Sequence, residues 1–178
     1  MEWRALGEVC VSLKKETLKQ HEVSAERNER YPYPVVNSSR EFYGYYGHYN
    51  NEGNAFCIAA RGNAGFVSFI AEPFWAGGLC YPYRSRSDNE LLTKFVFYYL
   101  KTQEQHMMDT FVAHGSITAI NKTDVDGIPI PLPPLPIQEE IVRILDTFTE
   151  LTQELTQRRA QFAYYRDKLL TFGGNAHG

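Results

Sequence analysis

A 36-residue stretch without Gly or Pro, from Ile137 to Phe172, constrains this chain more than any other feature. Counting by sevens from Ile141 gives Ile141, Phe148, Leu155, Phe162 and Leu169. Three residues on, the companion series is Ile144, Leu151, Arg158, Tyr165 and Phe172. Nine of these ten positions are apolar or aromatic, and such a stripe sustained over nearly five heptads predicts a coiled-coil helix. Leu145 broadens the stripe at its start. At 1.5 Å per residue the helix is roughly 54 Å long. A small domain cannot cover five heptads, so pairing with a second long helix is the expectation. Folding back on residues 1–127 is the alternative. Arg158, the polar seam position, is expected to snorkel outward.

Upstream of this helix, Ile128-Pro129-Ile130-Pro131-Leu132-Pro133-Pro134-Leu135-Pro136 has five prolines in nine residues. Such a run forbids helix and forces extended geometry. It predicts a stiff hinge over 128–136, with Pro136 as the first helical residue and Glu139 and Glu140 in the favoured first turn. The division is then a domain at 1–127, the hinge, the helix at 137–172 and a tail at 173–178. Within the first unit, Phe56–Ala60 and Phe66–Ile70 flank Gly62-Asn63-Ala64-Gly65 and predict a β-hairpin. Val35-Val36, Gly78–Tyr81 and Ser116–Ile120 predict further short strands. Ser87 and Glu90 have capping-box spacing, and Leu91, Leu92, Phe95, Val96, Tyr99 and Leu100 follow on one face. This predicts a packed helix from Ser87 to about Met108. The fold class is α+β: a strand-rich domain with one packed helix, then a long C-terminal coiled-coil helix.

Net charge is -3, which excludes a basic arm or binding to nucleic acid by bulk charge alone. Cys10, Cys57 and Cys80 lack the spacing of a disulfide framework or zinc module, so a reducing cytoplasm is the default compartment. The first residues reach charge too soon for a signal peptide, and no apolar run approaches a membrane span. Phosphate-loop, Walker, HExxH and GxSxG motifs are absent. Tyr31-Pro32-Tyr33-Pro34 resembles an amino-methyltransferase motif only superficially. His21, His48, His106, His114 and His177 are scattered, and Asp124 and Asp126 fit a solvated turn. No catalytic constellation emerges.

Polar and aromatic loops remain. Asn37 to Asn51 is dense in side chains that donate, accept and stack, and Arg61 and Asn63 sit at the hairpin turn. Tyr81, Tyr83, Arg84 and Arg86 form a second, locally basic group. Asn suits adenine, Arg suits guanine, and hydroxyls reach phosphate. The same composition equally suits a protein-binding surface.

The residues from Ile128 to Asp146, with Arg158 to Phe172 and its Tyr164-Tyr165-Arg166-Asp167-Lys168-Leu169-Leu170 segment, resemble the specificity (S) subunit of type I restriction-modification systems. In that family a target recognition domain ends in an IPLPPL-x-x-Q stretch, and a long helix closes with a YYRDKLL-type segment. Trp3-Arg4-Ala5-Leu6-Gly7, the Arg61–Gly65 turn and Gly115-Ser116-Ile117 also resemble the family.

The resemblance implies a non-catalytic DNA-recognition component. The modification subunits would bind S-adenosylmethionine and methylate adenine, and a further subunit would translocate and cleave; no cofactor is expected in this chain. Family members typically carry two recognition domains and two helices, and this chain has one of each. That implies a half-subunit acting as a homodimer, with antiparallel helices and a recognition domain at each end. A piece cut from a longer chain is the alternative. The DNA-contact candidates are Asn37, Ser38, Ser39, Arg40, Tyr43, Tyr45, Arg61, Asn63, Arg84 and Arg86. The dimer candidates are Ile141, Ile144, Phe148, Leu151, Leu155, Phe162, Tyr165 and Leu169. The rival readings are a protein-interaction module on a coiled-coil stalk, and a regulatory half-subunit that competes for modification subunits.

Overall fold

The computed structural model describes residues 2–111 and 118–171. The chain divides into two units, residues 1–139 and 140–178. In order, the elements are β1 (Glu2–Ala5), α1 (Leu6–Val9), β2 (Cys10–Ser12), β3 (Tyr33–Val36) and β4 (Gly44–Tyr46). They continue with β5 (Ala55–Ala59), β6 (Val67–Ile70), β7 (Trp75–Ala76), β8 (Cys80–Ser85) and α2 (Thr93–Phe111). The last are α3 (Lys122–Asp126), β9 (Pro129–Leu132) and α4 (Leu135–Leu170). The α+β expectation, strand-rich with a long C-terminal helix, holds.

The hairpin forms as expected. β5 pairs with β6 in the register Phe56↔Phe69, and the turn places Gly62 and Gly65 at φ of 69° and 88°, where a Cβ is strained. β8 joins the other side of β5, and β2 joins β8, giving a four-stranded antiparallel sheet. Strand alternation sends Ala55, Cys57 and Cys80 to one face. There they pack with Val36, Ile70, Phe74 and Ala76, which joins this sheet to the three-stranded sheet β4-β3-β7. On the other face Phe56 stacks on Tyr83 at 5.9 Å, and α2 packs against β5 and β6. All three cysteines are free and buried. Burial pushes the Cys10 thiol up to about 12, so it behaves as a small apolar core group.

Several local expectations are corrected. α2 begins at Thr93, not at Ser87. Ser87 instead opens a turn in which its carbonyl takes the Glu90 and Leu91 N–H groups, while its own N–H goes to Ser85 Oγ. The helix also runs on to Phe111. Residues 129–132 are extended, as expected, but as a paired strand and not as a stiff hinge. Pro129–Leu132 forms β9, antiparallel to β1, with Ile130 opposite Arg4. Leu6 N–H bonds to Ile128 C=O at 2.8 Å, so alternation turns the nitrogens of Pro129 and Pro131 away from β1. The long helix then starts at Leu135, and Pro136 falls inside its first turn. The strand expected at Gly78–Tyr81 forms two residues later, as β8 from Cys80, with Gly78 and Leu79 in the turn before it. Of the expected Ser116–Ile120 strand, Ala119 makes a single bridge to Arg61, while Ser116 and Ile117 lie outside the described residues.

Asp126 pins α3 to the sheet. Tyr83 donates its hydroxyl to Oδ1 at 2.6 Å, and Lys122 donates to Oδ2 at 2.6 Å. Burial pushes this carboxyl up, but the Lys122 and Tyr83 hydrogen bonds and the Lys122 charge outweigh it and hold it below the ordinary carboxylate range. A carboxyl depressed in the folded state contributes stability above its unfolded pKa, which is lost as pH falls through the folded one. Asp126→Asn is therefore expected to be less stable than the native chain at neutral pH. The gap should narrow below about pH 4 in urea denaturation followed across pH.

Candidate nucleic-acid interface

The structure sorts the ten candidate contact residues into separate neighbourhoods. Six of them meet. Asn63 donates its side-chain N–H to the Ser38 carbonyl at 2.9 Å, which ties the hairpin turn to the loop after β3. Asn37 fixes the base of that loop by accepting the Leu79 N–H at 2.9 Å. The Ser39 hydroxyl bonds to Glu41 C=O and closes a tight turn that exposes Arg40. The Arg40 guanidinium lies 5.7 Å from the Phe66 ring centroid. Arg61, exposed beside them, is held by its bridge to Ala119. The result is a two-loop platform carrying two guanidinium groups and the Asn63 amide.

Arg40 and Asn63 also line a cavity of about 180 Å³ with Phe66, Glu104, Met108 and Thr118. Glu104 accepts the Val67 N–H at 2.7 Å and the Lys101 amine at 2.6 Å through one oxygen. Sequence reasoning passed over Phe66, Lys101 and Glu104. The only signal for them was the i,i+3 spacing of the last two on α2, which is common on any helix.

The other four lie elsewhere. Tyr43 and Tyr45 belong to the β4 region, where Tyr45 exchanges two 2.8 Å backbone hydrogen bonds with Ser24 and Arg27 approaches its ring. Tyr43 is exposed and lines a shallow depression with Gln20 and Val23. Arg84, on β8, faces Lys14, Asn50 and Asn51. Arg86 spends a donor on the Gly7 carbonyl at 3.1 Å, beside Arg4 and Glu90. It serves that corner of the fold. Among the described residues no group of His, Cys, Asp or Glu can hold a metal ion. No described helix is long and apolar enough to cross a membrane.

In the second unit, the seam is laid out along one helix. Ile141 is half-buried, whereas Ile144, Phe148, Leu151, Leu155, Phe162, Tyr165 and Leu169 are exposed, Phe148 by 62% and Leu169 by 70%. Phe172 lies outside the described residues. Polar groups are satisfied within the helix: Glu140 pairs with Arg143 and Glu154 with Arg158, both at 2.6 Å. The Thr152 and Thr156 hydroxyls bond back to the carbonyls of Phe148 and Thr152. Arg158 thus has a carboxylate partner on its own helix.

These features coincide with those of known proteins. The specificity subunit of the type I restriction enzymes EcoR124I and EcoR124II from Escherichia coli is 33% identical over 97% of this chain and 45% of its own length. The type I restriction-modification S subunit from M. genitalium superposes with a TM-score of 0.77 at 20% identity, covering 93% of this chain and 45% of that one. The HsdS subunit of Thermoanaerobacter tengcongensis gives 0.61 at 21% identity, over 88% and 39%. Both share the fold. The chain spans a little under half the length of the curated relatives it matches. The model of the type I restriction modification DNA specificity domain matches residues 1–161, and the chain belongs to that family.

Proposed function

We propose that this chain is the sequence-reading component of a type I restriction-modification complex, acting as a half-subunit that pairs through α4. The observation that carries the reading is the exposed apolar seam of α4. A second copy of the same stripe satisfies it, and a two-fold axis restores two recognition units. The Arg40–Asn63 platform enters the major groove of double-stranded DNA and reads base edges, Arg40 suiting guanine O6 and N7. The chain does no chemistry in this scheme. Partner modification subunits carry S-adenosylmethionine and methylate adenine, and a restriction subunit acts after them. Their surfaces supply phosphate-neutralising charge that a chain of net charge -3 lacks.

Identical recognition units on a two-fold axis read the same bases on opposite strands. The target is therefore expected to be an inverted repeat interrupted by unread base pairs. Its half-site centres are expected about 34–36 Å apart. Sequencing the methylome of cells that express this chain as the sole specificity component beside type I modification subunits checks this directly. Adenine methylation at an interrupted palindrome is the expected result. An asymmetric bipartite target refutes the symmetric pair, and no new methylation refutes the specificity role.

A further inference from the structure

The loop that follows β2 is held far more tightly than a solvated surface loop needs. Leu13 N–H bonds to Pro82 C=O at 2.8 Å, and Glu16 N–H to Ala76 C=O at 2.9 Å. The Asn51 amide donates to Lys14 C=O at 2.8 Å, and the Trp75 indole to Glu16 C=O at 2.8 Å. Four hydrogen bonds from three different parts of the chain thus hold Leu13-Lys14-Lys15-Glu16, whose two central side chains are exposed lysines. Lys15 lies over the Tyr81 ring at 4.4 Å and reaches Gly78 C=O at 3.4 Å. Lys14 and Arg84 line one open cavity of about 290 Å³. Glu52 is the carboxylate in that lining, and its charge raises the neighbouring Tyr49 phenol above its ordinary range. Among the described residues, neither Lys14 nor Arg84 has an ion-pair partner. Burial holds the Lys15 amine below the ordinary lysine range, and the nearby Lys122 adds to the positive field there.

The Lys15 end of this loop adjoins the reading platform. Gly78, which takes the Lys15 amine, is followed by Leu79, whose N–H is held by Asn37. Ser38, next to Asn37, holds Asn63. Leu79 itself is exposed at the junction. Pinned cations near a platform of candidate base-reading side chains match the two jobs of a DNA-binding face. Phosphate contacts set position, and base contacts set sequence. Pinning the backbone beforehand lowers the ordering cost of binding.

We infer that Lys14, Lys15 and Arg84 form a phosphate-binding ledge that grips the DNA backbone and sets the register of the Arg40–Asn63 platform. This rests on the DNA-reading function proposed above. The probe is a pool of 30-base-pair random-sequence duplexes, titrated with the full chain between 50 and 200 mM salt, with bound duplexes sequenced. The native chain is expected to bind with a steep salt dependence and to enrich a motif. Lys14→Gln with Lys15→Gln should reduce the slope of log K against log salt by about 2, and adding Arg84→Gln should bring the loss to about 3. The enriched motif should stay the same. Arg40→Ala should do the reverse, altering the motif with less change in slope. An unchanged slope in the triple variant, while the native chain still enriches a motif, overturns the ledge and leaves the reading function standing. A changed motif in the lysine variant also overturns it, because the lysines then read bases. A native chain that enriches no motif and binds without salt dependence overturns both.

Discussion

Lysine at both Phe148 and Leu155 is expected to leave the chain monomeric in sedimentation velocity at concentrations where the native chain is paired. Each of these side chains is at least half exposed in the single chain. Burying a residue of this size contributes about 1.5–3 kcal/mol. In a symmetric pair every substitution acts twice, so the two changes remove four buried groups. They also place four ammonium groups in an apolar seam, where unpaired charge costs several kcal/mol more. The sum exceeds the roughly 8 kcal/mol that corresponds to micromolar affinity. Lys is a good helix former, so far-UV circular dichroism should change little. Phe148→Leu with Leu155→Ile keeps the seam apolar and should keep the pair. Undiminished association of the double-lysine variant would move the interface off this stripe.

Gln138→Leu is expected to destabilise the recognition unit by about 3 kcal/mol or more, lowering its urea midpoint by more than 1 M, given the usual slopes. Gln138 is wholly buried at the start of α4, within the first unit. Its amide nitrogen donates to Glu90 C=O at 2.9 Å and to Pro133 C=O at 2.8 Å. Its carbonyl accepts the Leu92 N–H at 2.9 Å. Leucine fills the space and satisfies none of these, stranding two acceptors and one donor. Gln138→Glu keeps only the acceptor and buries a carboxylate against two carbonyls, so it should fare no better. A loss below about 0.5 kcal/mol, the scale of an ordinary surface substitution, would mean that water or a backbone shift replaces the amide.

Gln138 also marks where the sequence is opaque. Its place in the IPLPPL-x-x-Q stretch is visible, but its partners lie 46 and 48 residues away. Those partners are why Ser87 does not cap α2. The Leu92 N–H is satisfied by Gln138, so the helix begins beyond it. The 128–136 run misleads for the same reason, since nothing local reveals that Pro129–Leu132 pairs with β1 at the far end of the unit. By contrast, the hairpin and the long helix depend on neighbours in sequence, and both were legible. The candidate platform was legible only in part. Asn37 to Arg40 and Arg61 to Asn63 carried compositional signals, and the structure brought them together. Tyr43, Tyr45 and Arg86 carried the same signals but lie apart from it.

The β1–β9 ladder has a consequence for inheritance. Its strands bring the opening and closing residues of the recognition unit side by side, about 4.8 Å apart. A unit whose ends meet can be lifted out of one chain and set into another through two adjacent joints, without rethreading anything between them. A swap at those joints would exchange everything from β1 to β9 in one event and leave the sequence of α4 unchanged.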